Sequence, residues 1–152
     1  MTRTDRAQIT VRATTDTVYA ALTNPTAREK WLPPTGMSGR HEHFDLRVGG
    51  GYRMVLTYDD ASAAPGKSSA DSDVVEARFT ALDLNREVAE AVEFVSDDPG
   101  FAGTMTMVWR LEAAATGTLV TITAHDVPEG ISAADHAEGL SASLQNLAAF
   151  VG

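Results

Sequence analysis

His41 and His43 stand two residues apart in a segment, Ser38 to Asp45, that alternates as a strand does. Residues i and i+2 of a strand share a face, so the spacing suits two metal ligands. A zinc site needs three or four, and the remaining histidines, His125 and His136, are distant in the chain. The pair is therefore read as surface or pocket-rim histidines, and no metal is expected. Asp45 and Arg47 are placed to pair as ions just before Gly49-Gly50-Gly51, a structural rather than a catalytic pattern. Glu90 interrupts the apolar set Val88, Val92 and Phe94. The plainer expectation places it exposed near a strand end. In the alternative it is buried, where desolvation would raise its pKa and suit it to general acid or base work. His125, on one face with Leu119, Thr121 and Thr123, could then join it in proton transfer. No GxSxG turn, phosphate-binding glycine loop or HExxH helix occurs, and Ser141 and Ser143 lie on a helix without an evident base. No catalytic residue is assigned and no cofactor is expected.

The elements that must position these groups follow from periodicity. Ile9 and Val11 alternate with polar neighbours over Gln8 to Arg12, a half-buried strand. Thr14 to Thr17 can cap a helix carrying Val18, Ala21 and Leu22 on one face; Asn24-Pro25 ends it. Thr26 can cap a second short helix reaching Trp31, which Pro33-Pro34 closes. Six strands follow: Ser38 to Asp45, Gly51 to Tyr58, Val74 to Leu82, Glu87 to Phe94, Thr104 to Leu111 and Thr118 to His125. Their spacing predicts an antiparallel meander. The polar, aperiodic stretch from Asp59 to Asp73 reads as a mobile hairpin loop. Ser132 to Val151 is a long helix with Ala133, Ala137, Leu140, Leu144, Leu147 and Val151 on one stripe.

At 152 residues the chain is the size of one domain, expected over 1–152, and large enough to bury a substantial core. It has no cysteine, which excludes disulfides, thiolate metal sites and cysteine nucleophiles. The formal net charge of −9 disfavours nucleic acid or an anionic membrane as partner. No signal-like or membrane-spanning run is present in the sequence, and a cytoplasmic protein is expected.

This order predicts an α+β fold in which a curved antiparallel sheet of about seven strands wraps a long C-terminal helix. Two short helices follow the first strand. Curvature works against close contact everywhere, so a space between sheet and helix is expected. Strand parity turns Tyr52, Met54, Phe94, Met105, Met107 and Trp109 toward it. Trp31, Met37, Leu140 and Leu144 complete the expected ligand-binding set, and His41, His43, Glu90 and His125 are possible polar pocket groups.

Several segments together resemble the START-like superfamily known as SRPBCC, and within it the branch named for the activator of the ninety-kilodalton heat-shock protein's ATPase. The carriers are Val18 to Pro25, Trp31 to Met37, Phe44 to Tyr52, Asp98 to Gly103, Gly117 to Thr121 and Gly139 to Leu147. The resemblance covers nearly the whole chain and implies a helix-grip, Bet v-like fold with a hydrophobic cavity, in a family whose membership fixes no reaction. The chain departs from the common pattern at Tyr19 and Leu140, where relatives often carry tryptophan, and at Leu32, where a second aromatic often follows Trp31. Smaller side chains there would enlarge the cavity. The leading expectation is a non-enzymatic module binding a small hydrophobic or amphipathic molecule. Two alternatives stand beside it. One is a cyclase- or dehydratase-like enzyme on a polyketide-like or aromatic substrate, using Glu90, His41, His43 or His125. The other is a chaperone-associated or self-associating module, a possible homodimer.

Overall fold

The computed structural model describes residues 3–34, 36–59 and 72–152. Seven strands form one antiparallel sheet: β1 Thr4–Val11, β2 Met37–Phe44, β3 Gly51–Tyr58, β4 Ser72–Asp83, β5 Glu87–Phe94, β6 Met105–Ala114 and β7 Gly117–His125. Their order is β1-β7-β6-β5-β4-β3-β2, a meander from β2 to β7 with the first strand added beside the last. The chain must therefore pass from one sheet edge to the other between β1 and β2. It does so through α1, Thr15–Thr23, and α2, Pro25–Trp31. These helices reach β6 and β7 at one side and β2 at the other, across one end of the concave face. The long helix α3, Ala133–Val151, lies against β1 and touches both short helices. This is the expected helix-grip arrangement. The predicted loop between β3 and β4 lies, apart from its ends, outside the described residues.

Local chemistry accounts for the helix boundaries. Asn24 rather than Thr26 caps α2: its side-chain oxygen accepts from the Ala27 N–H at 2.9 Å, and Pro25 occupies the first turn, where a missing N–H is harmless. Ser132 caps α3 through the Asp135 N–H. Between β2 and β3, Gly49 has φ +88°, a left-handed turn that a side chain would strain.

Two bulges bend the sheet and reset its parity. One lies in β2 between His41 and His43, the other in β4 between Phe79 and Ala81. Beyond the first, Phe44 pairs with Tyr52 while His43 pairs with Arg53. His41 and Phe44 therefore face the interior and His43 faces out. The apolar concave side holds two clusters. The larger joins Val18, Leu22, Trp31, Tyr52, Met54, Phe79, Trp109 and Ile122 to Leu140, Leu144 and Leu147 of α3. The smaller joins Val92, Met105, Ala124 and Val127, with Phe94 against it, and Met107 packs against both.

Candidate functional site

Two residues of α2 point under the sheet's roof of helices. Arg28 and Trp31 are three apart, hence on one helical face, and both are almost fully buried, at 1% and 2% exposure. Each first serves α1, whose last carbonyls have no partner within their own helix. Arg28 Nη1 donates to the Leu22 carbonyl at 2.8 Å, and Trp31 Nε1 to that of Ala21 at 2.9 Å. A guanidinium at a helix C-terminus also complements the helix dipole.

Beyond that clasp, Arg28 enters a buried polar cluster. Its guanidinium carbon lies 4.6 Å from the centre of the Tyr52 ring, a cation–π contact. Its Nη2 lies 4.0 Å from Glu90 Oε2, with Glu90 only 4% exposed. Burial, and then the Glu90 carboxylate, push the Tyr52 hydroxyl pKa up, against an opposing pull from Arg28, so the phenol stays neutral. His41 closes the group, its ring edge-on to Phe44 and Tyr52 with centroids 5.1 and 5.3 Å away. Its side chain is 3% exposed, and Nδ1 lies 3.5 Å from Glu29 Oε2. Burial, followed by the Arg28 charge, lowers the His41 pKa to about 4 despite Glu29. The imidazole is therefore neutral at neutral pH.

Five buried polar atoms here make no well-aligned hydrogen bond to protein: Arg28 Nε, Glu90 Oε2, both ring nitrogens of His41, of which Nδ1 keeps its 3.5 Å contact with Glu29, and Trp109 Nε1. Trp109 meets Trp31 edge to face, with centroids 5.6 Å apart. Trp31 also borders a surface cleft of about 430 Å³ shared with Pro33, Met37, Asn146 and Phe150.

The structure separates the predicted site residues into groups. Trp31, Tyr52, Met54, Trp109, Leu140 and Leu144 share the larger cluster; Met105 and Phe94 belong to the smaller, and Met107 bridges them. Met37 lines the cleft instead. Three polar expectations are corrected. Glu90 is buried rather than exposed, because its partners in the sheet, Phe79 and Met107, lie on the concave face. His43 does not share a face with His41, because the bulge reverses parity between them. His125 is exposed on the convex side, in a groove with Arg6 and Arg110, so it cannot act with Glu90. Asp45 and Arg47 do pair, Nε to Oδ2 at 2.7 Å. His136 bonds Asp5 at 2.7 Å, tying α3 to β1. Among the described residues, no group of three or more His, Asp or Glu is arranged to hold a metal ion, and no helix is long and apolar enough to cross a membrane. Arg28 was missed. The available signal was an arginine three residues before Trp31 on a short helix whose inward face it shares.

Fold and site together define a helix-grip domain with a charged group sealed beneath its short helices. The chain belongs to the family of activator of Hsp90 ATPase homolog 1-like proteins, which matches residues 12–152. It is similar to a crystallised protein of Chromobacterium violaceum, 28% identical with a TM-score of 0.85, covering 97% of this chain and 96% of that one. A solution structure from Arthrobacter aurescens is 17% identical, with a TM-score of 0.81 and coverage of 97% and 85%. DynU16, a protein of the dynemicin biosynthetic locus, is 18% identical with a TM-score of 0.70; 97% of this chain covers 46% of that one. No curated protein matches the chain in sequence.

Proposed function

We propose that this protein is a binding module for a small amphipathic molecule, held between the concave sheet face and the helices, with its polar end at Arg28, Glu90, His41 and Tyr52. The observation that carries this reading is the set of five buried polar atoms that make no well-aligned hydrogen bond to protein. Leaving a buried donor or acceptor unpaired costs about 1–3 kcal/mol, more for charged groups, and an interior selected only for packing would place apolar side chains there. Polar groups that are costly to bury and cluster on an otherwise apolar face suit recognition of a ligand head. The apolar set around them, including Met54, Met107, Leu140 and Leu144, would take its tail, and flexible methionines adapt to varied shapes.

Nile red, a neutral apolar dye, tests this. Saturable one-to-one enhancement of its emission is expected, with energy transfer from Trp31 and Trp109, the chain's two tryptophans. Met54→Trp, which adds bulk beside Tyr52 on the concave face, should abolish it while the protein stays folded. Emission that never saturates, or that Met54→Trp leaves unchanged, overturns the reading.

A further inference from the structure

The buried cluster also bears on the charge of what it would hold. Of the three guanidinium nitrogens of Arg28, Nη1 donates to the Leu22 carbonyl, and Nη2 lies 4.0 Å from Glu90 Oε2, beyond hydrogen-bond distance. Nε, bonded to the same carbon, has no hydrogen-bonding partner, and neither has Glu90 Oε2. An unpartnered donor and an unpartnered acceptor thus belong to one buried ion pair whose charges cancel. The neighbours add no cation. The Tyr52 phenol is neutral, and desolvation keeps the His41 imidazole neutral, with Nδ1 turned toward Glu29 at 3.5 Å. Glu29, at the partly exposed edge, accepts the His41 backbone N–H at 2.6 Å.

An anionic head at Arg28 would press against Glu90, and a cationic head at Glu90 would press against Arg28. In a desolvated site such like-charge contacts are strongly unfavourable. An uncharged group with a carbonyl beside an N–H meets neither penalty, and carries an acceptor for the Arg28 donor and a donor for the Glu90 acceptor.

Resting on the binding reading above, we propose that the cluster selects an uncharged donor–acceptor head, of the primary carboxamide or lactam class, and discriminates against carboxylates and amines. Octanamide, octanoate and octylamine carry one tail with three heads, and at about pH 8 the carboxylate is fully ionised. Their displacement of Nile red from the whole protein ranks the heads. Octanamide is expected to compete at least about tenfold better than either ion. Glu90→Gln, nearly isosteric, leaves the Arg28 cation without its counter-ion, so octanoate should gain about tenfold or more against octanamide. A wild-type preference for octanoate or octylamine, or failure of all three to displace bound dye, overturns the head-group assignment while leaving the binding module in place. So does an unchanged ranking in Glu90→Gln. Failure of Nile red itself to bind overturns the binding module and this assignment with it.

Discussion

The two faces of one sheet treat charge in opposite ways. On the convex face Arg53 reaches Glu42 at 2.7 Å and also bonds Glu76, while Arg110 bonds Glu87 at 2.8 Å. These pairs sit across neighbouring strands in water, where ions are well solvated with or without a partner. On the concave side Glu90 and Arg28 of the overlying helix α2 are sealed from solvent, stand 4.0 Å apart and retain bonding capacity. Exposed pairs with good geometry contribute little to stability, whereas a buried pair with indifferent geometry is often no better than an apolar substitute. The comparison teaches that the interior pair is not explained by stability. Capping of α1 accounts for Arg28 in part, but it leaves Glu90 unexplained.

The sharpest break of this contrast is removal of one interior partner. Arg28→Met should destabilise the protein by roughly 3–5 kcal/mol, since it strands the Glu90 charge and uncaps α1. Adding Glu90→Leu should recover much of that loss. Urea unfolding measures both, and a single variant as stable as wild type would mean that the two faces do not differ. A smaller effect comes from His41. Its pKa is near 4 in the fold against an ordinary 6.5, so between these values the unfolded chain binds the proton more readily. Stability therefore falls as pH drops from about 6.5 to about 4, by at most roughly 3 kcal/mol, and the loss levels off below that. His41→Phe, packed among Phe44 and Tyr52, should remove this share of the slope. Urea titrations at several pH values compare the slopes, and identical ones would clear His41 of the role. Smallest of all is Arg53→Ala on the convex face. It should move the urea midpoint no further than repeat titrations scatter, and a clear shift would show that the outer ladder matters after all.

Much of the architecture was legible before folding because periodicity reports burial locally. The predicted strands Gly51 to Tyr58 and Glu87 to Phe94 coincide with β3 and β5, and the long amphipathic helix begins one residue after its Ser132 cap. Departures at other ends were of a few residues, as with β1, which begins at Thr4 rather than Gln8. The helix-cap correction was also local: Asn24 and Thr26 both have capping side chains, and Pro25 at the first helical position favours the former.

What the chain by itself determined was therefore its elements, their order and the apolar face of each. A 2.0- or 3.6-residue repeat is a property of neighbouring residues, and needs no knowledge of the rest of the fold. What only the tertiary structure decided was the polar site. The bulge after His41 adds a residue to one strand without any mark in its composition, and so put two histidines of apparently equal standing on opposite faces. Glu90 looked like an interruption until the sheet register set it beside Phe79 and Met107, and the packing of α2 set Arg28 against it. A charge becomes part of a site through what surrounds it after burial, and that environment comes from segments far apart in the chain.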